Sequence, residues 1–145
     1  MEHVGIAGPR ALTPDQERQV AAELRALLGQ QTALHVGDAR GVDTMARALA
    51  CTCGALHRYD VAGPERWQLA KRTKAMVRGV AENGGTLHAW VNKPCPPGLT
   101  RQSWKGSGTW GAVREAAALG VPVVLHHLSG PWPAPDWLTA TTATA

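Results

Sequence analysis

Cysteine is scarce in this chain of 145 residues, with only Cys51, Cys53 and Cys95 present. An odd count argues against a disulfide framework. Cys51-Thr52-Cys53 leaves one residue between its thiols, where a structural zinc site uses about two to four. Both thiols fall at the end of an expected helix and read as small buried side chains, so no metal is expected. Nothing approaches the run of ~18 apolar residues needed for a membrane-crossing helix, and no membrane partner is expected. Met1-Glu2-His3-Val4-Gly5-Ile6 shows no basic segment followed by an apolar one. No signal peptide is read there, and a cytoplasmic protein is the expectation. Charge of either sign is also modest, with 15 Lys+Arg against 11 Asp+Glu and a net +4. That balance suits an anionic ligand or weak nucleic-acid affinity without requiring either.

What is present is an ordinary globular share of apolar residues, 44%, arranged as strands alternating with helices. His3 to Ala7 reads as a buried strand running into Gly8-Pro9-Arg10. Thr13-Pro14-Asp15-Gln16 opens a helix, with Thr13 as cap, Pro14 at the first position and Gln16 completing a capping box. Val20, Leu24, Leu27 and Leu28 continue that helix to Gly29. Ala33 to Val36 is a second strand, followed by Gly37-Asp38-Ala39-Arg40-Gly41 and a helix carrying Met45, Ala46, Leu49 and Ala50, which Asp43 can cap. A third strand is expected over Ala55 to Val61 and a basic amphipathic helix over Trp67 to Ala81. Thr86 to Val91 forms a fourth strand and Asn92 to Lys105 a proline-containing loop. A helix from about Trp110 to Leu119 and a strand around Val121 to Leu125 follow. Residues 129–145, rich in proline and threonine, show no core pattern and are expected to fray as a tail behind a domain over 1–128. The fold class is therefore α/β, a single three-layer domain on a mostly parallel five-stranded sheet.

Such sheets bind ligands beyond the carboxyl ends of their strands, where strand order reverses. The glycine-rich turns after strands one, two and four all fall at that edge. In Gly37-Asp38-Ala39-Arg40-Gly41 the backbone can approach an anion, and Arg40 can clamp it with two parallel hydrogen bonds. The alternative is that Arg40 pairs with Asp38 or Asp43 and only shapes the turn. Gly106-Ser107-Gly108-Thr109-Trp110-Gly111 matches the dinucleotide fingerprint as a string. It does not follow the first strand, however, and lacks the acidic residue about twenty positions on. A phosphate or ribose cradle using the Ser107 and Thr109 hydroxyls is one reading, and a helix cap is the other. Arg10 adds a second arginine at this edge. Arg58, Arg66, Lys71, Arg72, Lys74 and Arg78 cluster within about twenty residues, by default as a solvated face. His126 and His127 are neighbours on a strand and should face opposite ways. Of the tryptophans, Trp67 and Trp90 read as core, whereas Trp104 and Trp110 read as pocket wall.

These loops, in this order, resemble the SLOG superfamily. It joins the DNA-processing protein DprA, the LOG phosphoribohydrolases and small YpsA/YspA-like proteins, the last being the nearest in pattern. The matching segments are Val4 to Arg10, His35 to Ala46, Lys71 to Val77, and Gly106 to Thr109 with Gly120 to Val123. The resemblance implies a Rossmann-like fold that binds nucleotides or nucleotide-derived signals, with homo-oligomers common. It makes Arg40 and the turn from Gly106 to Thr109 ligand contacts, and it moves Arg72 from the solvated face into the pocket. The expected ligand site is thus Gly8, Arg10, Gly37, Asp38, Arg40, Gly41, Asp43, Arg72, Gly106, Ser107, Gly108 and Thr109. Thr73 and Pro9 stand where the family has asparagine and serine. Ala112 stands where the phosphoribohydrolases have glutamate, which leaves Glu115, about one turn on, as the candidate catalytic acid. Three functions follow as expectations. The first is binding of a phosphorylated nucleotide or nucleotide-sugar, the second is glycosidic cleavage of a nucleoside monophosphate, and the third is DprA-like binding of single-stranded nucleic acid.

Overall fold

A computed structural model describes residues 1–102 and 108–142. Six parallel strands form one sheet in the order β3-β2-β1-β4-β5-β6. They are β1 (Glu2–Ala7), β2 (Thr32–Gly37), β3 (Ala55–Tyr59), β4 (Thr86–Val91), β5 (Val123–His127) and β6 (Ala140–Thr142). Helices α1 (Pro14–Leu27) and α2 (Val42–Ala48) cover one face, and α3 (Arg66–Glu82) and α4 (Gly108–Leu119) cover the other. The chain is therefore a three-layer, Rossmann-like α/β domain. Among the described residues, no helix is long and apolar enough to cross a membrane.

Period-two alternation along the strands divides the core between the two faces. Val4, Ile6, Leu34 and Val36 turn towards α1, where they meet Val20 and Leu24. Leu87, Ala89, Val91, Val123 and Leu125 turn the other way and meet Met76, Val77, Val80, Val113 and Ala116. The expected capping box forms, with Thr13 accepting from the Gln16 amide and Gln16 accepting from that of Thr13.

Four expectations change, the first being that Cys51 is exposed and Cys53 half-buried instead of buried. Asp43 does not cap α2: the cap is Gly41, in a left-handed conformation (φ 73°), and Asp43 is buried in the first turn. A side chain at Gly41 would meet the Pro9 and Arg10 carbonyls, so glycine is required both by conformation and by the close approach of the β1–α1 turn. The stretch after 128 packs instead of trailing. Leu138 is buried, the Trp137 indole donates to Leu99 O (3.2 Å), and β6 pairs with β5 as a sixth strand. Trp67 is not core but 64% exposed.

His126 and His127 do face opposite ways. His126 stacks on Trp90 (centroids 4.2 Å) and bridges Glu23 (2.7 Å) and His88 (3.0 Å), while the His127 ring accepts from the Trp132 amide.

Candidate functional site

Strand order reverses between β1 and β4, because the chain winds outward from β1 through β2 to β3 and then returns to β4. The helices leave the two strand ends towards opposite faces, and the divergence opens a crevice at the carboxyl edge. A groove of about 1280 Å³ lies there, lined by the ends of β1 and β4, the first half of α3 and the start of α4.

The groove collects positive charge. Arg10 comes from the β1–α1 turn, Arg66, Lys71, Arg72 and Lys74 from α3, and Lys93 from the segment after β4; Asp43 is the one carboxylate among the described lining residues. Trp67 stands open on the wall, whereas Trp110 and Trp90 line the groove as buried side chains. The Trp110 indole donates to Lys93 O (3.0 Å), which ties α4 to the strand end.

Seven of the expected contacts line this groove: Gly8, Arg10, Gly37, Asp43, Arg72, Gly108 and Thr109. Asp38, Arg40 and Gly41 do not. Asp38 is part of the wall's support, since its carboxylate accepts from Arg72 Nη1 (2.8 Å) and from the Val61 amide (2.9 Å). Burial pushes its pKa up, but these two donors outweigh that and leave it below the usual value. Arg40 is exposed and outside the groove lining. The ion-pair reading of Arg40 is replaced, because the arginine that pairs with Asp38 is Arg72, from α3. Gly106 and Ser107 lie outside the described residues, as does Trp104.

Asp43 is 6% exposed, and burial raises its pKa to about 6 against the opposing pull of Arg72. It is a buried acid in the lining of a basic groove, mostly ionised at pH 7. Glu115 is buried, paired with Arg114 (2.9 Å) and outside the groove lining, whereas Ala112 is in it. Trp67, Lys71, Lys74 and Arg66 also line the groove, though they were not in the expected ligand set. Their clustering was visible in the sequence, but the edge of the sheet beneath them was not.

The fold is found elsewhere. The structure is similar to that of DNA processing protein A from Helicobacter pylori, solved to describe a single-stranded DNA binding mode, with a TM-score of 0.62 at 15% identity. The two share a fold. The match covers 86% of this chain and 65% of that one, so the chain spans about two thirds of the length of its neighbour. No family model matches the sequence, and no curated protein matches it either. The likeness is one of fold, a Rossmann-like α/β arrangement.

Proposed function

We propose that the groove binds a phosphorylated nucleotide or nucleotide-derived ligand, making the chain a small SLOG-type binding module of the YpsA/YspA-like kind. One observation carries this reading: six basic side chains face one carboxylate in a groove at the reversal of strand order. Such a crevice concentrates anions, and partial exclusion of water strengthens each charge-assisted contact. The phosphate would sit between Arg10, Lys71 and Arg72, and the base would lie on the open Trp67 indole. Calorimetry against nucleoside mono-, di- and triphosphates and nucleotide-sugars, with Trp67 fluorescence as a second readout, tests this directly. Saturable binding that weakens about tenfold or more in Lys71→Ala is expected; silence across the panel overturns the reading.

The exposure of Trp67 and the open groove also support a second reading, in which successive nucleotides of a single strand are bound. The neighbour's single-stranded DNA binding points the same way. An oligonucleotide held this way should lose affinity with a log–log salt slope of about −0.7 per phosphate contacted. Binding of oligonucleotides alone, with that steep slope, selects the second reading; binding of a mononucleotide with a shallow slope selects the first. Glycosidic cleavage gains no support from Glu115, whose carboxylate is committed to Arg114 away from the groove.

A further inference from the structure

Away from the groove, three histidines from three strands meet on the α3 face of the sheet. His35 and His57 are register partners on β2 and β3, and His3 lies diagonally across from His35 on β1. One ring nitrogen from each lies within 4.8 Å of the others. His3 Nδ1 and His35 Nε2 are 2.8 Å apart, and the His35 and His57 rings stack at 4.4 Å. We infer that His3, His35 and His57 form a binding site for a borderline first-row divalent metal ion such as Zn²⁺, with a fourth position open to solvent.

The placement suits that chemistry in three respects. Three imidazoles with one open position is a donor set that zinc and its neighbours take, whereas calcium and magnesium require oxygen. The trio is graded in access: His35 is 1% exposed, His3 half-buried and His57 exposed, so an ion can enter from the β3 edge onto an anchored ligand. His35 is oriented by a supporting group, with its Nδ1 lying 2.9 Å from the Tyr59 hydroxyl. When that hydroxyl accepts from Nδ1–H, the lone pair sits on Nε2, facing His3 Nδ1.

The space for this arrangement is built into α3. Gly79 lies over the pair, and a side chain there would collide with the Tyr59 hydroxyl and come within 3.3 Å of His35 Nδ1. Ligation asks for small changes. With metal–nitrogen bonds of about 2.0–2.1 Å, the His3 and His35 nitrogens separate by about 0.5 Å, and His3 moves its proton to Nε2. His57, exposed on an edge strand, turns its ring towards the ion.

Protein prepared without a polyhistidine tag and stripped of metal should be titrated with Co²⁺ at neutral pH. The expected result is one ion per chain, visible d–d absorption without thiolate charge transfer, and displacement by Zn²⁺. His57→Ala, at an exposed position, should abolish the signal while leaving the melting temperature of the metal-free protein nearly unchanged. Tyr59→Phe should weaken binding by about 10–100-fold. Cys51→Ser with Cys53→Ser should leave it intact. Absence of a Co²⁺ spectrum at millimolar metal, persistence of the spectrum in His57→Ala, or its loss in the cysteine variant would each overturn the assignment.

Discussion

The turn between β2 and α2 and the first half of α3 are both rich in arginine and glycine or lysine, yet they treat their polar groups oppositely. The turn has its polar groups satisfied within the fold. Arg47 donates to Gly37 O (2.6 Å), Thr44 to Ala39 O (3.1 Å), and Asp38 takes Arg72 and the Val61 amide. The start of α3 overhangs the sheet: no residue before Thr73 is buried, and Arg66, Trp67 and Lys71 are left exposed. A glycine- and arginine-rich turn can therefore be held within the fold, while a basic helix leaves its charges exposed on the groove wall.

The sharpest way to break this contrast is through two tryptophans that share the groove lining. Trp90 is fully buried and stacked on His126. Trp90→Ala should cost about 3–5 kcal/mol of stability, measured by denaturant unfolding. Trp67→Ala should cost under about 0.5 kcal/mol in the same assay, yet weaken nucleotide or oligonucleotide binding by about 1–3 kcal/mol. Equal destabilisation by the two substitutions would place Trp67 in the core and end the distinction.

The Asp38–Arg72 pair comes next. Its side chains are 17% and 10% exposed, so removing the cation leaves a carboxylate poorly solvated and without its charged donor. Arg72→Ala should cost about 2 kcal/mol, less than a fully buried pair would. The double variant Asp38→Asn/Arg72→Ala should cost less than the two single effects added together. Strict additivity would show that the pair does not hold the wall.

This pair also shows what was legible beforehand. Local patterns announced themselves, and the Thr13 capping box and the β4 span stand as read. So did the three-layer parallel architecture, because alternating periodicities of two and 3.6 leave few other arrangements. Partners far apart in sequence did not. Asp38 and Arg72 are 34 residues apart, and a bidentate-capable arginine looks the same whether it faces a phosphate or an aspartate. Trp67 misled for a related reason: periodicity assigns a helix face but cannot say where the sheet beneath it stops. The packed end at Leu138 and β6 was hidden because one buried leucine and three strand residues make no repeating pattern. His3, His35 and His57 carry no spacing signal at all, since strand register alone unites them.

Acid should expose a smaller asymmetry. Burial, with histidine neighbours, lowers His35 and His88 from 6.5 to about 4, while burial raises Asp43 from 3.8 to about 6. Between about pH 6 and 4 the unfolded chain thus holds two imidazole protons that the folded chain lacks. The folded chain holds one carboxyl proton that the unfolded chain lacks. The difference, two less one, favours unfolding, and the lowered His126 adds the same sign. Metal-free protein should lose about 1 kcal/mol of stability per pH unit across this window. His88→Gln should flatten the slope, and Asp43→Asn should steepen it. A stability that rises on acidification would mean that Asp43 outweighs the histidines.

The smallest expected effect is the most discriminating for the β2–α2 turn. Arg40 is exposed, outside the groove lining, and its neighbours in the turn are already satisfied by one another. Arg40→Ala should change stability by no more than about 0.5 kcal/mol and leave ligand affinity within about twofold of the unsubstituted protein. Lys71→Ala, the same loss of one positive charge on the overhanging helix, should weaken binding clearly. The two variants have equal net charge, so a general electrostatic attraction would affect them alike. Only the shape of the groove separates them, and a matched loss of affinity in both would move the ligand out of the crevice and onto the rim of the turn.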